Sequence, residues 1–286
     1  MTETDIPVAI PGLPLAARVH GPRDAPPLLA LHGWLDNAAS FDRLASLLAL
    51  HHRVIALDLP GHGRSAHLPP GAFVHYHIAD YVAAVLAAAD VLGLEQFDLL
   101  GHSLGAGVAS LVAAAAPERV RRLALIEGLG PLADDPGNTL ERFRHAADRR
   151  LARSEPRLRT FADIDAAVQV RSRASRMDAS LARPIVERGL VEVDGGYRWS
   201  SDPRLTQPTP VRLAESQVRT LLAGISAPTW LLLAHPQTPY LPEDMLRARA
   251  AVIPAIRIDH MDGSHHLHLE HPEAVARLLL DHFSLM

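Results

Sequence analysis

The stretch Leu99-Leu100-Gly101-His102-Ser103-Leu104-Gly105 contains Gly-x-Ser-x-Gly. It closes the run Phe97-Asp98-Leu99-Leu100 and opens an Ala-rich run from Ala106 to Ala116. That order predicts a strand, a sharp turn and a helix, with Ser103 at the apex and its hydroxyl exposed. Gly101 and Gly105 are required because a side chain at either position would collide across so tight a bend.

The flanks repeat the strand-then-helix pattern. On the N-terminal side, Pro7, Pro11 and Pro14 within residues 6–20 suit short strands at a sheet edge. Leu28-Leu29-Ala30-Leu31 and Arg53-Val54-Ile55-Ala56-Leu57 are short apolar runs of the kind buried on both faces. Phe41, Leu44, Leu47 and Leu48 share one helical face within residues 40–50. Ile78, Val82, Val85, Ala89 and Leu92 share another, which Gly93 closes. After Pro117 comes a strand from Val120 to Ile126, and the alternation resumes at Thr229-Trp230-Leu231-Leu232-Leu233. A helix at 242–251, a strand at 255–259 and a helix from Glu273 to Phe283 follow. Such alternation predicts an α/β fold with a mostly parallel sheet and helices on both faces.

From Gly130 to about Val218 the alternation is replaced by Arg-rich segments with turns at Pro131, Pro136 and Gly195-Gly196. We therefore expect a core in two parts, residues 1–130 and 218–286, interrupted by a helical cap over 131–217. Residues 141–183 carry 11 Arg against 6 acidic residues, which suits a solvated helical face.

Composition excludes several classes. The 286 residues contain no cysteine, so disulfides, thiolate metal sites and a Cys nucleophile are out. The formal charge of −4 implies neither nucleic acid nor an anionic membrane as partner. All 28 basic residues are arginine, which tracks the abundance of Ala and Pro and reads as base bias of the gene. The acidic start Met1-Thr2-Glu3-Thr4-Asp5 lacks the features of a secretory signal, and no run reaches the ~18 apolar residues of a membrane span. A soluble cytoplasmic protein is the expectation. Gly61-x-Gly63 lacks a third glycine and is no dinucleotide fingerprint.

A serine hydroxyl needs an adjacent base, and the base an orienting acid. Besides Ser103, three segments fall at strand ends: His32-Gly33-Trp34, Ile126-Glu127-Gly128, and Met261 to Glu270 with its histidines. Taken in order, His-Gly-x, Asp58-Leu59-Pro60-Gly61-His62-Gly63-Arg64-Ser65, Gly-His-Ser-Leu-Gly and a late Gly-x-His-x-x-x-x-Glu-x-Pro resemble the α/β-hydrolase superfamily. The segment Trp199-Ser200-Ser201-Asp202-Pro203-Arg204-Leu205 is similar to its serine hydrolase-like branch. The resemblance implies Ser103 as nucleophile and His265, five residues before Glu270, as general base. It also implies the main-chain N–H groups of Leu104 and Trp34 as the oxyanion hole. His32, Gly33 and His102 are expected around the pocket. Asp58 and His62 read as turn structure. The crowding of His260, His265, His266, His268 and His271 invites a metal reading, but no Asp or Glu at fixed ligand spacing accompanies it.

The acid departs from the usual pattern. The position after the strand at 229–233, where most relatives carry Asp, falls on Gln237. Some branches place the acid one strand earlier, which here is Glu127. A carboxylate closing a buried strand calls for a partner, and a histidine supplies one. Asp244, Asp259 and Asp262 are the other candidates, and the alternative role for Glu127 is a strand cap or a partner for a cap arginine. The expected activity is ester cleavage through an acyl-serine, on a small-molecule acyl substrate and without a cofactor. Lactones, thioesters, amides and carbon–carbon bonds suit the same triad, and a non-catalytic binding module is the reading from another class.

Overall fold

Apolar side chains that alternate along the strands fix the architecture. In β3 (Pro27–Leu31), Leu28 and Ala30 point into one apolar layer and Leu29 and Leu31 into the other. Both faces of the strand are therefore covered, as successive residues of a strand point to opposite sides. Each fully buried leucine contributes about 1.5–3 kcal/mol relative to an exposed one. The computed structural model describes residues 4–69, 75–151, 159–239 and 241–284.

Within these residues an eight-stranded sheet has the order β1-β2-β4-β3-β5-β6-β9-β10. Its strands are β1 (Thr4–Val8), β2 (Leu15–His20), β3, β4 (Arg53–Asp58), β5 (Phe97–His102), β6 (Val120–Ile126), β9 (Thr229–His235) and β10 (Ile256–Asp262). β1 and β2 join antiparallel at the edge, and every other neighbouring pair except β2–β4 is parallel. The fold is thus α/β with a mostly parallel sheet. α1 (Asp42–Leu48) and α10 (Pro272–Ser284) cover one face with Phe41, Leu44 and Leu279. α2 (Ile78–Val91), α3 (Leu104–Ala115), α7 (Glu215–Leu222) and α8 (Glu243–Ala250) cover the other. No helix among the described residues is long and apolar enough to cross a membrane.

Between β6 and β9 lie α4 (Thr139–Leu151), α5 (Ile164–Ser175), α6 (Ala179–Arg188), β7 (Leu190–Val193) and β8 (Gly196–Trp199) ahead of α7. A helical cap with a turn at Gly195-Gly196 was the expectation for this segment; the structure adds strands on either side of that turn, the β7–β8 hairpin. Asp194-Gly195 makes the two-residue connection, with Gly195 at φ +82°, a left-handed conformation that glycine adopts without steric cost. Strands of four residues amid arginines leave little periodicity to read. Phe161, Val168, Met177, Ile185 and Val186 form a small core of this segment, and Leu269 of α9 (Leu267–Glu270) joins it. Arg153 and Arg157 of the Arg-rich run lie outside the described residues.

A buried ion pair helps fasten the segment to the sheet. Arg188 at the end of α6 meets Asp58 at the end of β4, both fully buried, at 2.8 Å. Asp58 also accepts the N–H groups of Ala38 (2.7 Å) and Arg64 (2.9 Å). Asp58 was expected as turn structure; it is that, and an anchor for α6 besides.

Candidate active site

Ser103 sits between β5 and α3 with φ +53° and ψ −112°, a conformation that costs a non-glycine residue about 1–3 kcal/mol. Close packing holds it there. A Cβ on Gly105 would lie 2.0 Å from the Leu31 carbonyl oxygen, and one on Gly101 2.4 Å from that of Gly105. Both glycines are therefore needed on steric grounds. The Ser103 N–H donates to the Ile126 carbonyl (3.0 Å), so the turn is tied to the end of β6. Leu104 opens α3, where main-chain N–H groups have no partner within the helix and the helix dipole is positive.

Glu127 follows Ile126 directly. Its own φ is +56°, and its N–H donates to Leu232 O on β9 (2.9 Å). The buried carboxylate makes three hydrogen bonds. Oε1 accepts the Ala234 N–H (2.6 Å), and Oε2 accepts Thr238 Oγ1–H (2.7 Å) and His265 Nδ1–H (3.0 Å). Burial alone would raise its pKa; the bonds from His265, Ala234 and Thr238 outweigh that and hold it below the usual glutamate range. With Nδ1–H committed to the carboxylate, the matching imidazole tautomer carries its lone pair on Nε2.

The His265 loop is braced from two sides. Glu270 Oε2 accepts the Ser264 N–H (2.8 Å), which gives the spacing of Glu270 from His265 a structural reason. His102 Nε2–H donates to the His265 carbonyl (2.8 Å), and the two rings stand 4.9 Å apart. Residue 265 is thus attached to the residue before Ser103 and to the residue after Ile126. All three segments meet at the carboxyl ends of neighbouring parallel strands, where ligands of open α/β sheets bind.

Other expected residues lie nearby in different settings. His32 is fully buried and neutral, held below its usual pKa by burial; Nε2 accepts the Leu59 N–H (3.0 Å) and Nδ1–H donates to Gly33 O (2.8 Å). It ties the ends of β3 and β4 together. Burial likewise depresses His102. Gly33 packs against His102 and Asp36 so closely that a Cβ would come within 2.9 Å of His102 Nδ1. Trp34 is 51% exposed and donates Nε1–H to Leu205 O (3.2 Å).

Of the rival carboxylates, Asp244 is exposed and bonded to Arg247, Asp259 accepts Trp230 Nε1–H (2.7 Å), and Asp262 is exposed on β10. Gln237 donates to Leu241 O and makes no bond to the histidine. Its neighbour Thr238 reaches Glu127 instead. Sequence reasoning missed Thr238, and its only signal was adjacency to the position where the acid usually stands. Among the described residues, no group of three or more His, Cys, Asp or Glu is arranged to hold a metal ion.

A Gly-x-Ser-x-Gly turn on this sheet, with a histidine–carboxylate pair beside it, defines a class, and comparison with known proteins gives the same one. The profile of the family described as alpha/beta hydrolase fold matches residues 26–272, and the chain belongs to that family as a serine hydrolase-like hydrolase. A serine hydrolase-like protein of Danio rerio is 30% identical over 281 residues, spanning 95% of this chain and 86% of that protein. The crystal structure of the hypothetical protein PA1622 from Pseudomonas aeruginosa PAO1 superposes with a TM-score of 0.92 at 40% identity, covering 100% of this chain and 99% of that one. A thioesterase domain from the curacin biosynthetic pathway has a TM-score of 0.85 at 24% identity over 98% of this chain and 100% of its own, a likeness of fold alone.

Proposed function

We propose that the protein cleaves an ester bond through an acyl-serine intermediate, with Ser103 as nucleophile, His265 as general base and Glu127 as the orienting acid. The observation that carries this reading is the bond from His265 Nδ1–H to the buried Glu127 Oε2 at 3.0 Å, at strand ends adjoining the strained Ser103 turn. His265 Nε2 takes the Ser103 Oγ proton as Oγ bonds to the substrate carbonyl carbon. The carbonyl oxygen becomes an oxyanion that accepts from the main-chain N–H groups of Leu104 and Trp34. As the tetrahedral adduct collapses, the ester C–O bond breaks and His265 returns the proton to the departing alcohol. Water then attacks the acyl-serine with His265 again as base, releasing the carboxylic acid and restoring Ser103. Glu127 remains ionised and stabilises the imidazolium formed in each half. These residues complete the cycle among themselves, with no cofactor.

Residues 131–217 act as the cap over this site and set the size of the acyl substrate. A small-molecule substrate, a cytoplasmic location, and neither nucleic acid nor membrane as partner complete the proposal. The test is labelling with a fluorophosphonate, followed by turnover of short- and medium-chain p-nitrophenyl esters, lactones and thioesters. Wild type should label and hydrolyse an ester, and Ser103→Ala should do neither. Labelling that survives Ser103→Ala would refute the assignment. Faster lactone or thioester turnover would move the substrate class and keep the triad. A folded protein that neither labels nor turns over any substrate would be a binding module.

A further inference from the structure

The loop after β3, which holds the proposed oxyanion donor Trp34, is fastened to the cap at three points. Trp34 Nε1–H donates to Leu205 O (3.2 Å), Asp36 Oδ1 accepts from Arg171, and Asn37 Nδ2–H donates to Ile185 O (2.7 Å). The partners come from the turn at Pro203–Thr206, from α5 and from α6. Between these points Leu35 has φ +58°, which a leucine keeps only where its surroundings impose it.

Asp36 extends these contacts inward. Its Oδ2 lies 3.8 Å from His102 Nδ1 and 3.7 Å from His266 Nε2. His102 in turn holds the His265 carbonyl at 2.8 Å. A continuous set of contacts thus runs from a cap arginine through a buried carboxylate to the main chain of the proposed base. Burial would raise the Asp36 pKa, and Arg171, with smaller help from His266 and His102, holds it well below the usual range. The carboxylate is therefore ionised, and Arg171 is the cation that makes its burial tolerable.

We propose that Asp36 and Arg171 are positioning residues, through which the cap sets the placement of the Gly33–Asn37 loop and of His265. The inference rests on the hydrolase reading above. Neither side chain needs to touch substrate. Their effect falls on the oxyanion donor and the base, groups whose interactions strengthen in the transition state, so it is expressed in kcat.

The experiment compares wild type, Arg171→Met, Arg171→Lys and, as a control on an exposed cap arginine, Arg183→Met. Two readouts are taken: kcat and KM for a p-nitrophenyl ester, and the NMR ring resonances of His265, assigned with His265→Gln. Arg171→Met should lower kcat about 10- to 100-fold with KM within about twofold, and should shift the His265 resonances. Arg171→Lys should recover most of the loss, and Arg183→Met should match wild type in both readouts. A raised KM at unchanged kcat, or His265 resonances unmoved by Arg171→Met, overturns the proposal. If Arg171→Met does not fold, Asp36→Asn combined with Arg171→Met removes both buried charges. A lowered kcat in that double variant supports the proposal, and wild-type kcat overturns it. A wild type that fails to react with a fluorophosphonate refutes the hydrolase reading instead, and the His265 resonances then decide the positioning role by themselves.

Discussion

Glu127 Oε2 and His265 Nδ1 lie 3.0 Å apart although 138 residues separate them in the chain. The contact exists because β6 and β9 are neighbours, and β9 carries β10 and the loop beyond it. Glu127 spends its remaining acceptor capacity on Ala234 N–H and Thr238 Oγ1–H. Its orientation is therefore fixed before any substrate arrives.

Glu127→Gln should reduce kcat for a p-nitrophenyl ester by about 10²–10⁴-fold while the circular dichroism spectrum stays that of wild type. The amide keeps the shape but cannot compensate an imidazolium. Thr238→Val removes one neutral hydrogen bond and should cost about tenfold or less. Equal turnover by Glu127→Gln and wild type would transfer the acid role to another carboxylate.

Stability should fall with acidification, beginning near neutrality. Burial holds the His62 and His268 pKa values down to about 3, against about 6.5 in an unfolded chain. Between those values the unfolded state binds more protons, so each group removes up to about 1.4 kcal/mol per pH unit as pH drops below about 6.5. Glu127 and Asp36 add to this at lower pH. Their folded pKa values lie below the unfolded ones, so their contribution is full above about 4–5 and is lost as pH falls through the folded values. Urea unfolding at pH 7.5, 6 and 4.5 should give steadily smaller free energies. A flat profile would mean that these histidines are not buried as described.

Arg188→Met should be among the most damaging single changes in the segment between β6 and β9. It leaves Asp58 buried without its cation, a loss of about 3–5 kcal/mol. Arg183→Met, whose partners Asp165 and Glu187 are exposed, should leave the Tm close to that of wild type. Thermal melts of the two variants make the comparison, and similar Tm losses would contradict the burial of the Arg188–Asp58 pair.

Gly105→Ala should fail to give folded protein, because the added Cβ would meet the Leu31 and His32 carbonyl oxygens at 2.0 and 2.7 Å. Gly93→Ala has open space around it and only a left-handed φ of +68° to accommodate, a cost of about 1–2 kcal/mol. Soluble yield and Tm separate the two.

The chain's local order was enough to announce the Ser103 turn and the parallel strands, whereas Glu127 as partner of a histidine was only what the resemblance implied, with Asp244, Asp259 and Asp262 as rivals. The turn follows from steric rules at glycine, and the sheet from short apolar runs that alternate with helical segments, signals that act over a few neighbouring positions. The hairpin at 190–199 escaped notice because each arm is four residues long. Thr238, Arg171 and Arg188 could not be read at all. Nothing local marks a threonine as the second support of a carboxylate 111 positions away, or an arginine as the partner of one 135 or 130 away. Those pairings were decided by which strands lie side by side and by the need of each buried charge for an opposite one, and both arise only when the chain has closed on itself.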